Sequence, residues 1–166
     1  MQKSDTFNIC FVCLGNICRS PLAQGVFERL VKSEGLQDKI LVASAGTSDW
    51  HVGDPPDQRM NETSSKKGIP LKNRAKQFQS VDFDRFDLVL AMDRHNKIDL
   101  EKLCSPSAAE NQLKLFRSFD DEANGDLDVP DPYFGGRGGF ENVFQIVQRT
   151  CPNILDFAKA QLNDSK

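Results

Sequence analysis

Residues 7–21 read Phe-Asn-Ile-Cys-Phe-Val-Cys-Leu-Gly-Asn-Ile-Cys-Arg-Ser-Pro. Residues 7–12 are mostly apolar, with aromatic and β-branched side chains, and predict a short strand that is buried on both faces. Pro21 opens a helical pattern and suits the first helical position, with Ser20 as the N-cap. Residues 13–19 are therefore predicted to form a tight loop between a strand and a helix N-terminus. Backbone amides in such a loop point inward and, with the helix dipole, make a site for a dianion.

Two side chains of this loop have chemistry that suits a bound phosphate. Cys13 lies at the mouth of the predicted anion site, where a helix N-terminus and a nearby cation favour the thiolate form of a cysteine. Arg19 has a planar guanidinium that can hold two phosphate oxygens at once. The Cys-x5-Arg spacing thus predicts a nucleophile below a phosphorus atom and a clamp on its equatorial oxygens. We expect the phosphate contacts to come from Leu14, Gly15, Asn16, Ile17, Cys18 and Arg19.

The cysteines of this stretch also allow a different interpretation. Cys10 and Cys13 have the spacing of a metal-binding pair, and nearby thiols could instead form a redox pair. However, the sequence contains no second Cys-x2-Cys and no His pair after them. Cys10 also falls inside the predicted strand, where a free cysteine behaves as a small buried hydrophobe. We therefore expect neither a metal nor a cofactor.

The composition of the whole chain is that of a soluble globular protein. Its 166 residues are 39% hydrophobic and 27% charged, which fits one domain over residues 1–166 with a sizeable core. The net charge of −3 and the lack of a basic stripe argue against nucleic acid as a partner. No apolar run of membrane length and no leader pattern is visible. Five cysteines, an odd number, indicate reduced thiols in a cytoplasmic protein. The two histidines, His51 and His95, lie in polar surroundings and are expected at the surface.

The periodicity of the chain predicts strands that alternate with helices. Buried strands are expected at residues 7–12, 40–42, 87–93 and 113–116. Helices are expected at residues 21–34, 57–67, 93–104 and 140–158. Pro152 predicts a kink or a restart of the last helix near Cys151, and the acidic segment 120–131 is too polar to join the core. This pattern predicts an α/β fold with a four-stranded parallel sheet, helices on both faces and a ligand at the carboxyl ends of the strands.

The phosphate-binding loop resembles the active-site loop of the low-molecular-weight protein tyrosine phosphatases. The likeness rests on Cys13-Leu-Gly-Asn-Ile-Cys-Arg-Ser-Pro21 and extends to Ala91-Met-Asp-x-x-Asn96 and Asp131-Pro-Tyr133. It implies a strand order of 2-1-3-4, which the residue pattern alone does not give. It also implies hydrolysis of protein phosphotyrosine through a phosphocysteine, with Cys13 as nucleophile and Arg19 as phosphate clamp. The expected partners are phosphotyrosine-containing proteins, with inorganic phosphate or sulfate in the loop.

The resemblance also implies roles for side chains elsewhere in the chain. Asp131 takes the role of general acid and base, and it follows the last predicted strand, whose carboxyl end faces the same edge as the phosphate-binding loop. Ser44 is expected to hydrogen-bond Asn16. Ser20, at the start of the helix, can donate to the thiolate of Cys13 when it departs in the second step.

Several of these residues have a second interpretation. Family members use the cysteine at Cys18 to trap the oxidised nucleophile as a disulfide with Cys13, whereas the alternative is a small buried residue that supports the loop. Trp50, the only tryptophan, and Tyr133 are expected to flank the substrate ring. For Trp50 the alternative is packing beneath its loop. A helix cap alone would explain Asp93.

Three other functions are open from the sequence. Arsenate reductases share the Cys-x5-Arg loop, but they pass on a disulfide through further cysteines, and Cys104 and Cys151 are not the close pair expected after the third strand. Protein arginine phosphatases typically carry threonine where Ile17 stands, and isoleucine fits the tyrosine-directed pattern. A phosphate-binding module without turnover would not need a nucleophile, a clamp and an acid together.

Overall fold

Four parallel strands build the sheet in the computed structural model, which describes residues 5–134 and 137–164. The strands are β1 (Phe7–Cys13), β2 (Ile40–Gly46), β3 (Leu88–Ala91) and β4 (Leu113–Leu115). Their order is β2-β1-β3-β4. β1 pairs with β2 on one side and with β3 on the other, in line with its mostly apolar sequence. The predicted fold class and strand order are therefore confirmed.

Helices cover both faces of this sheet. They are α1 (Arg19–Ser33), α2 (Gln58–Ser65), α3 (Arg94–Glu101), α4 (Pro106–Asn111) and α5 (Arg137–Asp164). Successive residues of β1 point to opposite faces. Ile9 and Phe11 join the larger core with α1 and α5, whereas Cys10 and Val12 join a smaller core with Leu100 of α3. Because β1 is packed on both faces, its last residue, Cys13, is held in place where the following loop begins.

The start of α1 differs from the prediction. The helix begins at Arg19, so Ser20 lies in its first turn and not at the N-cap. The Ser20 hydroxyl instead approaches the sulfur of Cys13. Gly35 follows the end of the helix with a φ of +69°, a conformation that glycine adopts without strain.

The third strand and the helix after it are shorter than predicted. β3 ends at Ala91, and α3 ends at Glu101. The separate helix α4 was missed, although Ser105 and Pro106 are a recognisable start: the Ser105 hydroxyl accepts a hydrogen bond from the backbone N–H of Ala108, and proline suits the first turn.

The C-terminal helix α5 is continuous, so of the predicted kink or restart near Cys151 the restart is wrong. Pro152 lies inside the helix on its exposed side, where water can reach the carbonyl group that proline leaves without a partner. Apolar neighbours such as Cys151, Ile154 and Leu155 are buried and hold the helix on either side of Pro152.

Within the two described ranges, no helix has the length and apolar character needed to cross a membrane.

The acidic segment 120–131 contains a buried charge, which the sequence interpretation did not allow for. The Asp120 side chain is only 1% exposed and accepts hydrogen bonds from Arg117 and Arg149. Val129 of the same segment is buried in the larger core. Burial of the carboxylate is tolerated because two guanidinium groups replace the water that it loses.

Candidate active site

The loop after β1 wraps around the sulfur of Cys13. This sulfur lies 2.9 Å from the Ser20 hydroxyl, and the backbone N–H of Asn16 donates to it at 3.3 Å. Asn16 has a φ of +57°, in the left-handed region that asparagine tolerates better than most residues. The reversal of the chain at Asn16 turns the loop back over the thiol.

The carbonyl groups of the loop point away from its interior. Those of Cys13, Leu14 and Ile17 accept hydrogen bonds at 2.8–3.0 Å from backbone amides outside the loop. In a planar trans peptide the N–H points opposite to the C=O. The N–H groups of Leu14, Gly15 and Cys18 are therefore directed inward, where they provide converging donors for an anion.

The Asn16 side chain holds the loop to the neighbouring strand. It is 1% exposed, and its Nδ2 donates to Ser44 Oγ at 3.0 Å, so the expected hydrogen bond between these residues is present. Its Oδ1 accepts from the backbone N–H of Lys76 at 3.1 Å. Ser44 in turn donates to Gln24 Oε1 on α1. The amide of Asn16 thus joins β2 and a distant segment to the loop.

The same Asn16 amide orients the Ser20 hydroxyl. Nδ2 donates to Ser20 Oγ at 2.9 Å, which leaves the hydroxyl proton to be donated elsewhere. The sulfur of Cys13 is 2.9 Å away, whereas the carbonyl oxygen of Ala45 is 3.3 Å away. This geometry favours donation from Ser20 to the sulfur, which stabilises a thiolate.

Arg19 lies buried beneath the loop with acidic partners. Its Nη1 donates to Asp93 Oδ2 at 2.6 Å and to the carbonyl of Val129 at 3.0 Å, and its Nη2 is 3.5 Å from Asp131 Oδ2. Burial alone would lower the pKa of Arg19. The negative charges of Cys13, Asp93 and Asp131 outweigh burial and raise this pKa above its ordinary value. The guanidinium therefore stays charged and fixed in direction.

The role of Asp93 was only half recognised from the sequence. Its Oδ1 accepts from the backbone N–H of Asn96, so it does cap α3. Its Oδ2 also binds Arg19, which a cap alone does not explain. Asp93 follows β3, next to β1 in the sheet, and carboxyl ends of parallel strands meet at one edge. That rule, applied to Asp93, would have found the contact.

Asp131 stands across the cavity from the phosphate-binding loop. Its Oδ1 accepts the backbone N–H of Tyr133 at 3.0 Å, and the side chain is 29% exposed. One oxygen is thus held by the backbone while the other faces Arg19. This carboxylate lines the same cavity as Cys13.

Aromatic side chains form the outer wall of this cavity, whose volume is about 90 Å³. Trp50 is 72% exposed and lines the cavity, as does Tyr133, so packing of Trp50 beneath its loop is not observed. The backbone carbonyl of Tyr133 accepts from Arg59, which also pairs with Asp57 at 3.1 Å.

His51 is partly exposed and also lines the cavity, a position that the sequence analysis did not predict. Its ring lies 6.4 Å from the ring of Tyr133 and its Nδ1 is 3.1 Å from Asp54 Oδ2. A side chain at Gly15 would approach the His51 ring. The signal available in the sequence was the position of His51 directly after Trp50, in the loop that follows β2.

The other cysteines differ in their access to the site. Cys18 lines the cavity but is 4% exposed, and burial, followed by the nearby charge of Asp57, raises the pKa of its thiol. Cys10 is buried within β1, as expected, and burial raises the pKa of its thiol. In the described part of the chain, no group of three or more His, Cys, Asp or Glu side chains is arranged to hold a metal ion.

The sequence model of the low molecular weight phosphotyrosine protein phosphatases matches residues 8–166. The chain belongs to this family. A low molecular weight protein-tyrosine-phosphatase of Streptomyces coelicolor is 41% identical over 158 residues, which cover 95% of this chain and 96% of that protein.

Solved structures of similar proteins share this fold. A protein tyrosine phosphatase of Entamoeba histolytica, with Hepes in its active site, superposes with a TM-score of 0.88 at 32% identity, covering 94% of this chain and 99% of that one. A Drosophila arginine phosphatase superposes with a TM-score of 0.83 at 32% identity, covering 91% and 97%. The fold thus carries more than one phosphatase specificity.

Proposed function

We propose that this protein hydrolyses phosphotyrosine in other proteins through a phosphocysteine intermediate. The observation that carries the proposal is the convergence of Cys13, Arg19 and Asp131 on one narrow cavity lined by aromatic side chains. Membership of the phosphotyrosine phosphatase family supports the same reaction. The three side chains supply a nucleophile, a cation and a carboxyl group, which together suffice for phosphoryl transfer without a metal.

In the first step the Cys13 thiolate attacks phosphorus. The sulfur–phosphorus bond forms as the bond to the phenolic oxygen breaks, and Asp131 donates its proton to that departing oxygen. Arg19 and the loop amides hold the equatorial oxygens as charge shifts among them. The 3.5 Å separation between Arg19 and Asp131 supports this assignment, because it sets the acid next to the clamped phosphoryl group.

In the second step water attacks the phosphorus of the phosphocysteine. Asp131, now ionised, takes a proton from the water, and the sulfur–phosphorus bond breaks to release Cys13 as a thiolate. The Ser20 hydroxyl, 2.9 Å from the sulfur, donates to the thiolate as it forms. Inorganic phosphate is then the product in the loop, and the enzyme needs no cofactor to return to its starting state.

Phosphotyrosine suits the cavity better than phosphoserine for reasons of reach and shape. Cys13 is 3% exposed, so a phosphoryl group must extend well into the cavity to meet its sulfur. The aromatic walls Trp50 and Tyr133 can pack on the faces of a phenyl ring. Trp50, exposed beside the cavity mouth, can also contact the polypeptide that carries the phosphotyrosine.

A protein arginine phosphatase is the second candidate, because a Drosophila enzyme of that activity shares the fold. Ile17 lines the cavity here, and its aliphatic side chain cannot accept a hydrogen bond from a guanidinium group. This favours phosphotyrosine. Arsenate reduction is less favoured because Cys151 is fully buried in α5 and Cys104 lies outside the residues that line the cavity.

The proposal is tested by turnover of a phosphotyrosine peptide, a phosphoarginine peptide and, with thioredoxin, arsenate. We expect hydrolysis of the phosphotyrosine peptide to be the fastest reaction. Cys13→Ser should abolish this turnover yet retain phosphate binding, because the loop amides and Arg19 remain. Preferred hydrolysis of phosphoarginine, or appreciable turnover by Cys13→Ser, would contradict the proposal. Phosphate binding by the wild type without turnover would identify a binding module.

Reversible oxidation of Cys13 is a further part of the proposed function. Peroxide would convert the thiolate to a sulfenic acid, and the Cys18 thiol would then displace water to form a disulfide. Both cysteines line the cavity, which supports this pairing. Because the raised pKa of Cys18 keeps its thiol protonated, Cys13 is the residue that is oxidised first.

A cytoplasmic location fits this chemistry. The five cysteines are all free, and the proposed nucleophile works only as a reduced thiol. Cell fractionation with an antibody against the protein should place it with cytoplasmic markers.

A further inference from the structure

A buried ion cluster lies behind the segment that leads to Asp131. Asp120 Oδ2 accepts from Arg117 Nε at 3.0 Å and from Arg149 Nη2 at 3.0 Å, while its Oδ1 accepts from Arg149 Nε and from the backbone N–H of Glu122, each at 3.0 Å. The side chains of Asp120 and Arg117 are 1% and 7% exposed. A charged group in such surroundings has few alternative positions, so Asp120 fixes Arg117 in place.

Arg117 also contacts the acidic segment through Nη1, which lies 3.4 Å from Asp126 Oδ2. Its Nη1 donates to the carbonyl of Asp128 at 2.9 Å. The next carbonyl, of Val129, accepts from Arg19 Nη1 at 3.0 Å. Two buried arginines therefore hold successive peptide groups, and one of these arginines is the proposed phosphate clamp.

The segment is held on its other side by residues that follow β3 and begin α3. The N–H of Val129 donates to the carbonyl of Met92 at 2.8 Å, and Asp128 Oδ1 accepts from the N–H of Arg94 at 2.8 Å. Asp131 follows Val129 by two residues. Its carboxylate therefore projects from a segment whose backbone carbonyl and N–H groups are hydrogen-bonded on both sides.

We propose that Arg117 is a positioning residue for the proton transfer carried out by Asp131. By holding the Asp128 carbonyl, it sets the path of the backbone to Asp131 and hence the distance from that carboxyl group to the leaving oxygen. The inference rests on the proposed function, because it requires Asp131 to be the acid. Arg117 does not line the cavity and acts only through the backbone.

The test is the dependence of kcat/KM on the acidity of the leaving phenol, measured with a series of aryl phosphates. Arg117→Met keeps an unbranched apolar stem like that of arginine and removes the guanidinium donors. We expect kcat/KM to fall by about 10²-fold for poorly acidic phenols, the size of effect typical of a misplacement near 1 Å. For strongly acidic phenols, which leave without a proton, we expect little change. Inhibition by phosphate should stay as in the wild type because the loop is untouched.

Arg149→Met is the matched control, since it removes two donors to Asp120 and the ion pair with Glu122 but no donor to the Asp128 carbonyl. It should lower the thermal unfolding temperature without changing the leaving-group dependence. Arg117→Lys provides a second test if Arg117→Met does not fold. Lysine keeps the charge but cannot donate to Asp120 and Asp128 in the same fork geometry, so a smaller change in the same direction is expected.

A double variant separates this inference from the proposed function. If Arg117 acts through Asp131, then Arg117→Met should add little to the loss already caused by Asp131→Asn. Equal losses for all phenols, or additive losses in the double variant, would overturn the positioning role while leaving Asp131 as the acid. If the loss of kcat/KM caused by Asp131→Asn is the same for all phenols, Asp131 is not the acid.

Discussion

Single residues decide where protons and negative charge reside in this site. Asn16 donates to Ser20, so the Ser20 proton is directed to the sulfur of Cys13. Arg19 is held by Asp93, so its second amino group is left to face Asp131 and the space above the loop. These contacts explain how a buried thiol can serve as a nucleophile.

Replacement of Asp131 by asparagine should remove proton donation and leave the clamp in place. We expect kcat/KM for aryl phosphates with weakly acidic phenols to fall by ~10²–10⁴, the usual contribution of acid–base help, with a smaller loss for strongly acidic phenols. Steady-state kinetics across a phenol series measures the effect. Asp84→Asn, at an exposed position, is the control. Losses of equal size across the series would contradict the role of Asp131.

Replacement of Cys18 by serine should prevent the disulfide that protects oxidised Cys13 and allows it to be reduced again. After peroxide treatment, the wild type should recover activity with dithiothreitol and yield a peptide with a Cys13–Cys18 disulfide. Cys18→Ser should recover poorly because its sulfenic acid oxidises further. Cys104→Ser, with a cysteine outside the cavity, should recover like the wild type. Equal recovery of all three proteins, without a disulfide, would make Cys18 a structural residue.

At the scale of secondary structure elements, β2 approaches the phosphate-binding loop closely. Gly46 ends β2 in register with Cys13. A Cβ atom built on Gly46 would lie 2.8 Å from the carbonyl oxygen of Leu14 and 3.2 Å from the N atom of Asn16. These neighbours are backbone atoms, so the loop itself would have to move.

We therefore expect Gly46→Ala to weaken phosphate binding and to lower kcat/KM by about 10²-fold, because the loop amides would lose their alignment on the phosphoryl group. Phosphate inhibition constants and kcat/KM are the measurements. Gly138→Ala is the control, because a Cβ there meets no atom of the described residues within 4 Å outside its chain neighbours and its own helix backbone. Unchanged phosphate binding in Gly46→Ala would show that the loop adapts to the extra methyl group without cost.

For the whole molecule, the ion cluster at Asp120 ties the acidic segment to the C-terminal helix. Burial would raise the pKa of Asp120, but hydrogen bonds from Arg149, Glu122 and Arg117 lower it below its ordinary value. A lowered folded-state pKa contributes stability above the unfolded-state pKa, and this contribution is lost as the pH falls through the folded-state pKa.

Asp120→Asn should accordingly destabilise the protein by about 3 kcal/mol at pH 7, the cost of breaking a buried ion pair. The difference from the wild type should shrink only below about pH 4, where aspartate in the unfolded chain takes up its proton. Urea unfolding at several pH values measures this. Asp156→Asn, at an exposed position of the same helix that carries Arg149, should match the wild type. If the difference in unfolding free energy between Asp120→Asn and the wild type did not change with pH, the charge of Asp120 would not contribute to stability.

The sequence alone determined the strand, the loop and the helix of residues 7–21, along with the α/β class. These features are local: one apolar run, one Cys-x5-Arg spacing and one proline specify a strand that ends at an anion site. The place of Asp131 at the same sheet edge also followed from chain order, because parallel strands share the direction of their carboxyl ends. The strand order itself came from the family likeness.

Only the tertiary structure decided which distant groups complete the site. Arg19 meets Asp93 and Val129 across 74 and 110 residues of sequence. His51 faces the cavity because its loop folds over Gly15, and Asp120 is buried because Arg149 arrives on a helix that Pro152 does not break. Such contacts depend on how helices and loops pack against a finished sheet. The sheet-edge rule brings Asp93 near Arg19, but no spacing within the chain encodes how the other groups pack, so those partners are found only in the folded molecule.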